Sequence, residues 1–138
     1  MTTVLYFGPI GHLQEIKHDL PDFNVLHIDS QAQLIAQCFG TEVILDAYMG
    51  FELNSYILEM MPDLKLISCA STGFTHVDLE YLDKRNIAFQ SLSDQREFLS
   101  NITPAAEHSW LLLMMAARKV RSALNDISNQ IWDRNRHP

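Results

Sequence analysis

A chain of 138 residues suits one packed domain, and a hydrophobic share of 47% is too high for a disordered segment. The 17 acidic residues outnumber the 10 basic ones for a net charge of −7, which excludes a phosphate-tracking nucleic-acid surface, since that needs clustered Lys and Arg. Trp110 to Ala117 is the longest wholly apolar run, far short of the about 20 residues that cross a bilayer, so no membrane partner is expected.

The chain opens with "TTVLYFG", an apolar run of strand formers ended by Gly8 and Pro9. "HLQEIKHDL" follows with Leu13, Ile16 and Leu20 at helical spacing, then "FNVLHID" as a second strand. Ser30 is placed to cap the helix "SQAQLIAQC", which Gly40 stops. "EVILDAYM" is the third strand, and "NSYILEMM" a short helix from Asn54 to Pro62. "LKLISCA" is the fourth strand, "HVDLEYLDKRN" the fourth helix and "IAFQSL" the fifth strand. Strands alternating with helices through short turns imply parallel pairing by right-handed crossovers. The fold expected is α/β, a flavodoxin-like open parallel five-stranded sheet in the order 2-1-3-4-5 with a long C-terminal helix. That domain is expected to occupy residues 1–103.

From Pro104 to Trp132 nothing breaks a helix, which at ~1.5 Å per residue would be roughly 40 Å long. Thr103 followed by Pro104 is a good start. The first half, "AAEHSWLLLMMAA", is apolar nearly all round; the second carries a stripe of Leu113, Ala117, Val120, Leu124, Ile127 and Ile131. A helix apolar on every side needs more cover than one sheet supplies. Residues 104–132 therefore read as an inter-domain or dimerisation helix, and 133–138, with Arg134 and Arg136, as a solvated tail.

Cys38 and Cys69 are the only cysteines. "MTTVLYFGPIG" lacks the basic start and long apolar core of a secretory leader, so both are expected to be reduced core thiols in a cytoplasmic protein. For the same reason the glycosylation pattern at Asn101 carries no weight.

Candidate chemistry concentrates in "ASTG", residues 70–73, at the end of the fourth strand. In open α/β sheets ligands sit at the carboxyl ends of the strands. Outward N–H groups there, with the next helix adding positive potential, offer a seat to a carboxylate or phosphate, and Gly73 permits close approach. The alternative is a tight turn that needs Gly and nothing more. Asp46 ends the third strand, where a receiver domain carries its phosphoacceptor, and Thr72 falls near that family's switch hydroxyl. The acidic pair after strand one and the Lys after strand five are missing, so metal-assisted phosphoryl transfer has no mechanism here. Asp46 otherwise reads as a carboxylate that is solvated or caps a turn. "GPIGHLQE" has neither a flavin phosphate loop nor a third glycine for a dinucleotide fingerprint. The six histidines (His12, His18, His27, His76, His108 and His137) show no metal-binding spacing, and no metal is expected. Glu107 and His108 are adjacent in the long helix; side chains about 100° apart do not form a dyad.

"MPDLKLISCASTGFTHVDLEYLDKRNIAFQSL" followed by "TPAAEHSWLLLMMAARKV" resembles the D-isomer-specific 2-hydroxyacid dehydrogenases. The shared elements are a small-small-x-Gly turn after a strand, a "V-D-L" helix opening, an "R-N-I" turn into the next strand and a "T-P-A-A-E-H" helix start. The resemblance runs from about Glu42 to Val120. It implies a flavodoxin-like substrate-binding domain paired with a nucleotide domain that binds NAD or NADP. It implies that Ser71, Thr72 and Gly73 offer backbone N–H groups to a small 2-hydroxy or 2-keto acid, that Thr103 faces the nicotinamide, and that the long helix crosses into the nucleotide domain. The family's glycine-rich fingerprint and its catalytic Arg, Glu and His have no counterpart in these residues, and Glu107 and His108 do not stand in for them. The chain is therefore expected to be the amino-terminal part of such an enzyme, to bind no cofactor alone and to be inactive alone. Apolar helix residues left in water at about 1.5–3 kcal/mol each make a homodimer through residues 104–131 the expected state. A non-catalytic flavodoxin-like interaction or regulatory module is the alternative.

Overall fold

The computed structural model describes residues 1–133, 135 and 136, so Arg134 and His137 of the expected tail lie outside the described residues. Five parallel strands, β1 (Thr3–Phe7), β2 (Asn24–His27), β3 (Thr41–Asp46), β4 (Leu66–Cys69) and β5 (Ala88–Ser91), form one sheet in the order β2-β1-β3-β4-β5. This is the expected topology.

The central strand shows why. Val4, Leu5, Tyr6 and Phe7 are all buried, as expected for a parallel strand covered on both faces. Alternation then sorts them. Leu5 and Phe7 enter the larger core with Ile44 of β3 and Ile67 of β4, whereas Val4 and Tyr6 pack with Val25 of β2 and with Leu13, Ile16 and Leu20. Those last three lie on or just after α1 (Leu13–Asp19), so the helical spacing seen in the sequence is the face that α1 buries. The larger core is covered by Leu34 of α2 (Gln31–Gln37), Ile57 and Leu58 of α3 (Ser55–Glu59), and Leu82 of α4 (Leu79–Arg85).

The caps differ in detail. The Asn54 side chain accepts from the Ile57 amide at 3.1 Å, and the Asp78 side chain from the Tyr81 amide at 3.0 Å. Ser30 stands at the cap position of α2 but makes no side-chain cap bond. The "R-N-I" turn proves structural. Asn86 closes α4 in the left-handed region with φ 54°, and its neighbour Arg85 reaches back to three carbonyls at the end of α3, those of Leu58, Met61 and Pro62. Ile87 then enters the core.

The chain divides into two compact units, Met1–Arg96 and Glu97–Pro138. A short helix that sequence patterning missed, α5 (Arg96–Ser100), lies at the division. In the second unit the long helix is present as α6 (Pro104–Ala117), but it does not continue to Trp132. Its 14 residues make about 21 Å, half the expected length. The Arg118 amide bonds back to the Met114 and Ala116 carbonyls, and Lys119 takes φ 50° before α7 (Val120–Ser128) begins. A left-handed non-glycine residue is costly, of order 1 kcal/mol or more. Here it lets the chain turn so that α7 contacts α6. The expected stripe is thereby split between two helices, and Leu113, Leu124, Ile127 and Ile131 are all exposed. No helix among the described residues is long and apolar enough to cross a membrane.

Candidate functional site

The carboxyl ends of β3 and β4 are tied together. The Ala70 amide, just past β4, donates to the Asp46 carbonyl at 2.7 Å. The chain then leaves the sheet through Ser71, Thr72 and Gly73. The Ser71 hydroxyl donates to the Gly73 carbonyl at 2.7 Å, and the Ser71 carbonyl accepts from the Leu92 amide at 3.1 Å. Among the described residues the amides of Ser71, Thr72 and Gly73 donate to nothing. Thr72 and Gly73 are exposed, and Ser71 is half-buried. Unpaired backbone N–H groups that remain open to solvent are available to an acceptor.

The turn does not itself demand glycine. Gly73 is outside the left-handed region, and a Cβ placed there would meet only the Met49 methyl carbon, at an ordinary 3.5 Å. Glycine at 73 thus leaves free space over the amides rather than satisfying a backbone constraint.

One expectation fails. The helix after the turn does not follow it directly. The α4 helix starts only at Leu79, and the first-turn Tyr81 amide is already taken by Asp78.

Asp46, buried to 1% exposure, caps a turn and is not solvated. Its Oδ1 accepts the amides of Tyr48 at 3.0 Å and Met49 at 2.9 Å, holding Met49 at φ 52°. Its Oδ2 accepts from Nε2 of His76 at 2.6 Å. His76 is half-buried as a residue, but its side chain is only 8% exposed. The backbone adds to this. The Leu53 amide donates to the His76 carbonyl at 2.8 Å, and the Asp78 amide to the Leu53 carbonyl at 3.1 Å. The loop after β3 and the turn after β4 are therefore one braced rim. Sequence reading missed the role of His76, because its partner lies 30 residues away and no local spacing joins them.

Cys69, at the end of β4, is a buried free thiol, as is Cys38. Burial, and secondarily the Asp46 charge, push the Cys69 thiol up to about 11, so it stays protonated and unreactive at neutral pH. Asp46, Cys69 and His76 bring ligand-type atoms within 4.8 Å of one another. The 2.6 Å Asp46–His76 separation is that of a hydrogen bond, and both Asp46 oxygens are engaged. The trio is a braced pair beside a neutral thiol.

The first βα turn is packed by an aromatic side chain. The Tyr6 ring fills the space over Gly8, and its hydroxyl donates to the Pro9 carbonyl at 3.2 Å, so glycine is required there for packing. A 3₁₀ turn, Ile10–His12, follows. Thr103 lies in the second unit and is exposed, its hydroxyl donating to Glu107 at 2.6 Å in place of a backbone cap. His108 beside it is exposed on α6.

Comparison with known proteins agrees with the architecture. The pattern of the D-isomer specific 2-hydroxyacid dehydrogenase, catalytic domain, matches residues 8–97. The chain is 26% identical over 133 residues to erythronate-4-phosphate dehydrogenase of Psychrobacter arcticus, covering 96% of this chain and 30% of that one. It is 29% identical over 82 residues to D-3-phosphoglycerate dehydrogenase of Mycobacterium leprae, covering 59% of this chain and 15% of that one. The chain thus spans a third or less of the length of these relatives. Among solved structures, D-lactate dehydrogenase of Aquifex aeolicus, in complex with NAD and lactic acid, superposes with a TM-score of 0.77 at 20% identity, over 95% of this chain and 38% of that one. NAD-dependent formate dehydrogenase of Staphylococcus aureus gives 0.77 at 20% identity, over 98% and 44%. With the strand order, the open turn after β4 and the profile over residues 8–97 in agreement, the chain belongs to the D-isomer-specific 2-hydroxyacid dehydrogenase family.

Proposed function

We propose that these residues are the substrate-binding part of an NAD(P)-dependent D-2-hydroxyacid dehydrogenase, which moves hydride between a nicotinamide and a 2-hydroxy or 2-keto acid. The observation that carries this is the row of unpaired amides at Ser71, Thr72 and Gly73, open at the carboxyl edge of the sheet. They receive the substrate carboxylate, and the brace from Asp46 to His76 holds the rim that positions them. Preorganised donors cost little reorganisation when the anion arrives.

Hydride chemistry belongs to the nicotinamide. This chain's role is to bind and orient the acid. Alone it turns over nothing. Thr103 is assigned to the nicotinamide side of the cleft in the whole enzyme, and α6 to the passage into the nucleotide domain. The protein works in the cytoplasm. Residues 104–131 form a homodimer contact, which the exposed Trp110, Leu111, Leu112 and Leu113 support.

The test is kinetic. In the whole enzyme, Gly73→Ala is expected to raise KM for the 2-keto acid about tenfold while leaving the affinity for NADH unchanged. An unchanged KM, or NADH oxidation above background by the 138 residues alone, would contradict the proposal.

A further inference from the structure

A second concavity opens on the same edge of the sheet, two strands from the amide row. It encloses about 510 Å³, within the range of small-ligand sites. Phe7 at the end of β1, Ile28 just past β2, and Ile10, Tyr48 and Phe51 from the loops supply its apolar lining. Phe7 and Phe51 meet edge to face, with ring centroids 5.0 Å apart and planes at 70°. Besides the Tyr48 phenol, its ionisable groups are His27, whose Nε2 donates to the Gly8 carbonyl at 2.8 Å, and Asp29. No Lys or Arg lines it.

Position connects this pocket to the amide row. β1 and β4 are two steps apart across β3, about 10 Å at the usual strand spacing. One loop borders both sites. Met49 faces Gly73, while Tyr48, Gly50 and Phe51 line the pocket. Asp46 holds that loop through the amides of Tyr48 and Met49.

Resting on the proposed carboxylate site, we infer that this pocket takes the side chain of the acid, and that the side chain is uncharged and apolar, with an aromatic ring as its best fit. A phosphate buried here would find no Lys or Arg among the described lining residues and would share the pocket with the Asp29 carboxylate, a costly arrangement for a multiply charged group. A ring would extend the Phe7–Phe51 arrangement and bury its surface against Ile10 and Ile28. The substrate class thus departs from that of the two relatives whose names specify phosphorylated acids.

The test titrates the isotopically labelled 138-residue chain with phenylpyruvate, pyruvate and 3-phosphoglycerate, reading amide and aromatic shifts by NMR. Phenylpyruvate is expected to bind at least tenfold tighter than pyruvate and 3-phosphoglycerate, moving the Phe7, Tyr48 and Phe51 signals together with the Ser71–Gly73 amides. Ile10 is 64% exposed, so Ile10→Lys leaves the fold intact. It is expected to weaken phenylpyruvate about tenfold and to strengthen 3-phosphoglycerate. Equal or tighter binding of 3-phosphoglycerate by the unaltered chain, or a preference that Ile10→Lys does not move, overturns the pocket assignment. If pyruvate shifts the 71–73 amides in either case, the carboxylate site stands without it. If none of the three acids moves those amides, both fall.

Discussion

The two units spend their apolar residues in opposite ways. Met1–Arg96 builds a core from large aliphatic side chains: Leu5, Leu34, Ile44, Leu58 and Ile67 are each fully buried. Glu97–Pro138 shows them: Trp110 is 64% exposed and Leu113 57%, and none of the residues of α6 is buried. The first unit carries its own core and can hold a site rigid. The second presents a run of large apolar side chains to solvent. On the proposed function, the carboxylate site draws on the first unit and self-association on the second.

The sharpest way to break this contrast is Asp46→Ala. It leaves His76 and two backbone amides without their buried acceptor, and removing one member of a buried pair typically costs about 3–5 kcal/mol. Chemical denaturation followed by far-ultraviolet circular dichroism should show the loss. A change under about 1 kcal/mol would mean the rim is not braced as described. Ile44→Ala should cost about 2–5 kcal/mol by the same measurement, because a fully buried aliphatic leaves a cavity.

Leu112→Ala in α6, where the side chain is 52% exposed, should change the chain's intrinsic folding stability by no more than about 0.5 kcal/mol. It should instead weaken self-association. Trp110 and Trp132 are the only tryptophans, and both lie in the second unit, so their emission should shift to shorter wavelength as the chain is concentrated, and less so in the variant. A concentration-independent spectrum with monomeric sedimentation would remove the proposed dimer.

The pH dependence sharpens the account of the first unit. The folded Cys69 thiol titrates near 11 against an ordinary 9.0, so the folded state favours the neutral thiol. Its contribution is complete below about pH 9 and is lost as pH rises through 11. Cys69→Ala should therefore flatten the fall in stability between those values, and an identical slope in both proteins would show that burial does not control this thiol.

Much of the first unit was legible in order of residues. The continuous apolar run of β1 and the spacing of Leu13, Ile16 and Leu20 each point to one face of one element, and each packs as that pattern requires. The turn at Ser71 to Gly73 was legible as small residues ending a strand, and the structure leaves the amides of all three unpaired. The Asp46–His76 bond was not, since it depends on the loop after β3 and the turn after β4 meeting across the sheet edge. Nor was the break at Lys119, where neither Gly nor Pro marks the turn. The "R-N-I" motif was visible as a pattern, but its cause, a guanidinium bridging three carbonyls at the end of α3, exists only in three dimensions.

The central claim is that the amides bordering Gly73 seat a carboxylate. The direct measurement is an amide-resolved NMR titration of the chain with pyruvate, repeated with uncharged propionamide and with Gly73→Ala. The account predicts saturable shifts at Ser71, Thr72 and Gly73 with pyruvate, none with propionamide, and about tenfold weaker binding (~1.4 kcal/mol) in the variant. Amides at 71–73 that stay still while pyruvate binds elsewhere, or that respond equally to the neutral amide, would contradict it.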